Sequence, residues 1–413
     1  MGILTRRTTC RLCGGRRLEL VLNLGSTPPA NDFVHESKLG ESQECFPLEV
    51  FQCVNCNHVQ LLDVVDPEHL FRNYLYVSKT SPVFVKHLED YADWVITRFK
   101  VRTGSFVVEV ASNDGTLLNF FRSAGMRTLG IEPAKNLAKM ARDSGIETLP
   151  EFFSPPLAKQ IRQQLGAAKV VAANNVFAHV DDLAGFARGV RELLDEDGIF
   201  VFEVSYLADV YEKILFDTIY HEHLSYHTVA PLKAFFVAQG LELIDVLRVE
   251  SQGGSLRGIV QPIGGPAKAS DNVSNLIQME SDLGLDRLET MKKFALKIDS
   301  LRHELVDLLR GLKEQRKSIA GFGAPAKATT LMYYFGLGDG LLDFIVDENP
   351  LKQGLYSPGL HIPVLPVSAL YERKPDYVLI LAWNFARSII ERHSAFPRAG
   401  GKFILPIPTV QIC

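Results

Sequence analysis

Apolar positions fall into a repeating strand–turn–helix rhythm through the middle of this chain. SFVVEVASNDGTLLNFF, from Ser105, reads as an apolar strand, a small polar turn and the start of an amphipathic helix. RTLGIEPAKNLAKMA repeats the unit, its strand ending on Glu132. AKVVAANNVFAHVDDLAGFARGVRELL supplies a further strand, turn and helix, and GIFVFEVSY another strand. Strands alternating with helices predict a parallel, doubly wound sheet. Ligands in such sheets sit at the carboxyl ends of the strands. The theme returns later. Beyond a loop, IGGPAKASDN, and a helical stretch through residues 274–315, RKSIAGFGAPAKATTLMYYFG again reads as strand, glycine turn and helix. LLDFIVDENP, ending near Asp347, and PDYVLILAWNF are the strands that follow.

The N-terminal segment has a different signature. Four of the six cysteines form two CxxC pairs, Cys10 with Cys13 in CRLC and Cys53 with Cys56 in CVNC. A CxxC turn lets two thiolates share a metal, and two such turns complete a tetrahedral four-cysteine zinc site. Four thiolates leave no position open for water, so this zinc is expected to hold the fold. A redox CxxC and an iron–sulfur cluster are the rivals, and a reducing cytoplasm weakens a disulfide reading. Arg6, Arg7, Arg11, Arg16 and Arg17 surround the pairs, as a solvated face or as the rim of an RNA-binding ribbon. The expected architecture is therefore α/β, with a zinc-binding ribbon over 1–70. A Rossmann-like cofactor-binding domain follows over 71–235, and a second Rossmann-like domain over 236–413.

The turn after the first sheet strand, EVASNDG, carries Glu109, Ala111, Ser112, Asn113, Asp114 and Gly115. A dinucleotide fold wants GxGxxG there, because a pyrophosphate must approach backbone and helix N-terminus. One glycine and an acidic lining suit a ligand with a positive centre and no phosphate, as in S-adenosylmethionine (SAM). Glu132, followed by Pro133, is placed to accept both ribose hydroxyls. Asn174 and Asn175, at another strand end, can meet the adenine or the amino-acid tail. A generic α/β domain, with Glu132 as a helix-start acid, is the bland alternative. In the C-terminal half, Gly323 and Ala324 form a glycine turn and Lys327 opens the next helix, a combination that favours an anion. An NAD site with Asp347 on the ribose is the rival there.

DTIYHEHLSY, residues 217–226, concentrates Tyr220, His221, Glu222, His223 and Tyr226. A histidine base, a His221–His223 metal site and a polar turn all fit these residue types. In an extended run, alternation would send Tyr220 and Glu222 to one face and His221 and His223 to the other.

The double CxxC, EVASNDG, GIEPAKNLA, NNVFAHVDDL, YHEHLSY and AGFGAPAKATTL occur in that order over nearly the whole chain. Together they resemble the zinc-containing, SAM-dependent sugar C-methyltransferases of deoxysugar biosynthesis, which methylate nucleotide-linked keto-sugars. Ala111 departs from that pattern by standing where a glycine is usual. The resemblance implies a dTDP-linked 4-keto-deoxysugar methylated at C-3 through an enolate, with His223 as base and Tyr220 and Glu222 beside it. It implies that Tyr74, in FRNYLYVSKTS, closes over the site, and Ser81 is a further candidate cofactor contact. It also implies that the C-terminal domain helps to bind the nucleotide, with the diphosphate on Gly323, Ala324 and Lys327. Arg257, in QGGSLRG, is expected to meet phosphate, and His221 and Tyr226 to contact the substrate.

Composition adds boundaries rather than chemistry. The 413 residues exceed one typical core, so two or three domains are expected. Hydrophobic content of 46% and charged content of 22% describe an ordinary globular protein. A net charge of -4 gives no drive toward nucleic acid or anionic membranes. No apolar run approaches bilayer length and no signal-peptide core opens the chain, so a cytoplasmic protein with no membrane partner is expected. A monomer is compatible with all of this. Two other classes remain on these residues: a zinc-ribbon RNA methyltransferase, and a nucleotide-binding protein without catalysis.

Overall fold

The computed structural model describes residues 3–72, 74, 76–338 and 340–413. Its largest sheet has seven strands, in the order Leu241–Val249, Ser255–Pro262, Leu194–Ser205, Ala168–Asn174, Phe106–Val110, Arg127–Ile131 and Thr148–Leu149. The last five are parallel, as the strand–helix alternation predicts, and the first two form an antiparallel edge. Residues 241–262, assigned from the sequence to the C-terminal domain, thus complete the middle sheet. QGGSLRG is accordingly split: Gln252, Gly253 and Gly254 form a turn whose Gln252 lines the cavity described below, while Ser255–Gly258 belong to the strand. Gly258 is glycine because the Phe202 ring occupies the place a Cβ would take.

Arg257, expected at a phosphate, lies inside this sheet. Its guanidinium pairs with Glu203 at 2.6 Å and packs over the Tyr91 and Trp94 rings. His87 Nε2 meets the other Glu203 oxygen at 2.7 Å. Despite its burial, hydrogen bonding from His87 and the charge of Arg257 hold the Glu203 carboxyl below its ordinary range. Removing one member of a buried pair strands the other charge, at about 3–5 kcal/mol. Arg257→Met is therefore expected to lower Tm by roughly 6–20 °C, taking about 2–4 °C per kcal/mol for a domain of this size. An unchanged Tm with a raised KM for an anionic substrate would return Arg257 to the phosphate role.

The C-terminal sheet has six strands, ordered Val364–Leu365, Phe344–Val346, Ile319–Phe322, Tyr377–Ile380, Lys402–Leu405 and Gln411–Ile412, all parallel except the last. The helical stretch before it is two helices, Asp271–Asp282 and Leu288–Glu314.

The N-terminal four-stranded antiparallel sheet holds Leu18–Thr27, Phe46–Cys53 and Val59–Leu61, and takes its fourth strand, Ser225–Tyr226, from the YHEHLSY run. Its core is not separate. One apolar cluster runs from Val21 and Leu48 through Phe294 and Leu305, on the long helix, to Ile345 and Leu379 in the C-terminal sheet. The N- and C-terminal domains thereby share one core. Among the described residues no helix is long and apolar enough to cross a membrane.

Candidate active site and zinc centre

The four cysteine sulfurs lie within 4.8 Å of one another. Cys10–Cys56 and Cys13–Cys53 are each 3.6 Å apart, against about 2.05 Å for a disulfide. A tetrahedral zinc with bonds of about 2.3 Å sets its ligands about 3.8 Å from one another, so the spacing fits this ion. Cys53 ends one strand of the sheet and Cys10 begins a tight turn, in which Gly14 N–H donates to Cys10 O. Cys45 and Cys413 are exposed and lie apart from this cluster.

A cavity of about 650 Å³ opens at the carboxyl ends of the middle sheet and reaches both other domains. Glu109, Ala111, Ser112, Asn113, Glu132, Pro133, Asn174 and Asn175 line it. Each oxygen of Glu132 accepts one backbone N–H, from Asn113 and from Ala134, both at 2.8 Å. A carboxylate offers about four acceptor positions, so the fixed Glu132 keeps capacity for a diol. Glu109 Oε2 and both amide atoms of Asn174 are buried without a partner among the described residues, so they fit a polar ligand. Burial raises the Glu109 carboxyl well above its ordinary range, and Asp114 and Glu132 add to this. A cation brought to this end of the cavity would favour the charged carboxylates. Ala111 sits at φ +54°, where an L-residue costs about 1–2 kcal/mol, which is why a glycine suits this turn.

Gly115 and Ser81 do not line the cavity. Gly115, at φ +78°, leads into the next helix, and Ser81 caps helix Pro82–Phe99 through Phe84 N–H. Ser78 lines the cavity instead, its N–H donating to Asn113 Oδ1 at 3.0 Å.

Residues 220–223 of the YHEHLSY run form a turn, His223 N–H donating to Tyr220 O, so strand alternation does not sort them. Tyr220 and His223 both face the cavity, with ring centroids 4.0 Å apart. His223 Nδ1 lies 2.7 Å from Thr218 O. A carbonyl only accepts, so Nδ1 carries the proton and Nε2 keeps a lone pair. Burial lowers the His223 pKa to about 4, so the ring is neutral at pH 7. His179, which the sequence reading did not single out, stacks on His223 at 4.8 Å and also lines the cavity. Glu222 turns to the Tyr74 phenol, which donates to Oε2 at 2.6 Å, and to Asn31 of the N-terminal domain.

His221 and Tyr226 lie outside the cavity. His221 Nε2 is 3.2 Å from the Phe46 and Pro47 carbonyls, and Tyr226 pairs with Val59 in the N-terminal sheet. With its neighbouring histidine turned to the cavity, His221 shares no metal with His223, and the cysteine cluster is the one metal-ligand group among the described residues.

On the C-terminal side Lys327, Lys352 and Asn384 line the cavity, but Gly323 and Ala324 do not. Ala324 N–H already donates to Asp347 Oδ2 at 2.5 Å, which fills the expected anion position. The other Asp347 oxygen accepts Asn349 N–H at 2.7 Å. Gly323 is required by packing, since a Cβ would lie 2.5 Å from the Ala382 Cβ. Lys327 Nζ sits 4.4 Å from the Trp383 ring centre and 3.9 Å from Asp217, and Lys352 Nζ donates to Ala324 O at 2.7 Å. Burial lowers both lysine pKa values.

Fold and cavity define a SAM-dependent methyltransferase with a structural zinc site. The sequence matches the methyltransferase domain over residues 84–246, a zinc binding domain over 10–71, and the C-methyltransferase C-terminal domain over 250–408. It is 35% identical to the C-methyltransferase NovU of Streptomyces niveus over 403 residues, 98% of this chain and 96% of that protein. The chain belongs to this family of zinc-containing C-methyltransferases. Among solved structures it is similar to the PH0226 protein of Pyrococcus horikoshii OT3, with 13% identity and a TM-score of 0.37, covering 48% of this chain and 96% of that one. It is also similar to magnesium protoporphyrin IX methyltransferase of Synechocystis PCC 6803, with 13% identity and a TM-score of 0.33, covering 43% and 80%.

Proposed function

We propose that this enzyme methylates carbon, at C-3, of a dTDP-linked 4-keto-deoxysugar, with His223 as the base that makes the enolate. The observation that carries the reading is that one cavity is shared by all three groups. The acidic cofactor turns, a neutral histidine with its Nε2 lone pair free, and two lysines of the C-terminal domain all line it. Glu132 and Asn174 hold the cofactor's ribose and adenosine end, and Glu109 and Asn113 face its charged end. When bound, SAM supplies an electrophilic methyl group for the carbon that His223 deprotonates. Thr218 O holds the His223 ring in the tautomer that accepts the proton, and the His179 and Tyr220 rings pack against it. Tyr74 lies over the reaction zone. Lys327 and Lys352, rather than the Gly323–Ala324 turn, meet the diphosphate.

A panel of nucleotide-linked 4-keto-deoxysugars in heavy water, followed by mass spectrometry, tests this. Deuterium uptake beside the ketone without cofactor, and one added methyl group with it, is the expected result. Methylation of RNA in preference to every keto-sugar would overturn it in favour of the ribbon reading.

A further inference from the structure

Glu222 is where three domains meet. Its run belongs to the middle domain, Tyr74 lies in the segment joining the zinc domain to it, and Asn31 comes from the zinc domain's loop between strands Leu18–Thr27 and Phe46–Cys53. Asn31 Nδ2 donates to Oε1 at 2.8 Å, while Tyr74 donates to Oε2 at 2.6 Å. The loop that delivers Asn31 is clamped from the C-terminal domain. Thr329 Oγ1 donates to Ala30 O at 3.0 Å, Val34 bridges Tyr356, and Lys352 Nζ lies 4.8 Å from the Phe33 ring centre. Asn31 itself borders the cavity.

We infer that Asn31 is a positioning residue for methyl transfer, holding Glu222 as the acceptor of the Tyr74 hydroxyl, so that Tyr74 presents oxygen lone pairs, not a proton, to bound ligands. A carboxylate takes the phenol proton toward itself, whereas a carboxylic acid would donate to the phenol and release its O–H into the cavity. Asn31 and Tyr74 each give a hydrogen bond to the charged form of Glu222. Burial opposes them and raises the carboxyl, and Lys352 opposes burial from the C-terminal side. Tyr220, on the same run, is the remaining titratable group coupled to it, and burial keeps that phenol protonated. Without Asn31 the balance moves toward the acid.

The inference rests on the proposed site, so its test includes a readout that needs no sugar. In protein carrying 13C-labelled glutamate carboxyls, the Glu222 resonance is assigned by its loss in Glu222→Gln. Asn31→Leu and the isosteric Asn31→Asp are expected to move its titration midpoint upward, Asp further than Leu, with zinc content and SAM affinity unchanged. The same variants lower kcat about ten- to a hundredfold, the worth of a hydrogen bond to a charged group, and move the acid limb of the pH profile upward. In a Glu222→Gln background Asn31→Leu adds little further loss. A midpoint unmoved in both variants, or an undiminished loss in the Gln background, overturns the inference. A shifted midpoint with no keto-sugar methylated sinks the sugar reading and leaves Asn31 in place.

Discussion

His223→Asn removes deuterium exchange beside the ketone and lowers methyl transfer by roughly 10²–10⁴-fold, the usual worth of a positioned general base, while SAM affinity stays at the wild-type value. The substitution is chosen because an asparagine amide can still donate toward Thr218 O, so the turn is kept and only the proton acceptor is lost. Cofactor affinity is expected to hold because Glu132, Asn113 and Asn174 stand at or just beyond the ends of middle-sheet strands, apart from the turn that carries His223. The pH profile carries the sign. Burial lowers the His223 midpoint from 6.5 to about 4, so His223 stays available as base from pH 7 down to about 5 and adds its own loss only as pH approaches 4, below the acid limb set by Glu222, whose carboxyl burial raises. The same group makes stability pH-dependent. The unfolded imidazole takes its proton near 6.5 and the folded one near 4, so the unfolded chain binds more protons between them. The folded state therefore loses stability from this group as pH falls through that window. Full exchange in the Asn variant would pass the base role to His179 or Glu222.

Stripping zinc is expected to have the other large effect. Structural zinc contributes apparent folding free energies of about 10–16 kcal/mol in small domains, comparable to the whole stability of a typical domain, about 5–15 kcal/mol. Here the N-terminal sheet shares its apolar core with the C-terminal domain, so part of it has support besides the metal. Even half the zinc contribution, at about 2–4 °C per kcal/mol, lowers Tm by more than about 10 °C. Methyl transfer falls with it, because Asn31 hangs from the same sheet. SAM binding is retained, because its turns belong to the middle sheet. Chelation followed by calorimetry with SAM, and an activity assay before and after zinc is restored, separates these. Full activity in metal-free protein would refute the structural role.

What could be read in the sequence had short-range causes. Two CxxC turns imply four thiolates in one place whatever lies between them, and the sulfurs do converge. A strand ending on an acid, followed by a helix, fixes Glu132 near the preceding turn, and Asn113 N–H donates to it. The glycines misled. Gly253 and Gly254 do form a turn, beside a Gln252 that lines the cavity, but the loop stops short of Arg257: Gly258 and Arg257 lie in the strand, where the Phe202 ring leaves no room for a Cβ at Gly258. The Gly323 turn suggested phosphate, while Asp347, placed by the next strand, had already taken the Ala324 N–H. Asn31, His179 and Lys352 carry no local pattern. Each reaches the cavity through tertiary packing, which periodicity does not encode.

The strand Ser225–Tyr226 has a consequence for synthesis. His58 and its partner Ser225 are 167 residues apart in the chain, and Ser225 pairs with Gln60 at the rim of the N-terminal sheet. At about 5–20 residues per second, the ribosome needs roughly ten to thirty seconds to deliver that last strand after the second cysteine pair has emerged. Throughout that interval the Val59–Leu61 edge stands open, a template for pairing with another nascent chain. The zinc-bearing segment is first in the sequence, yet it is among the parts completed late.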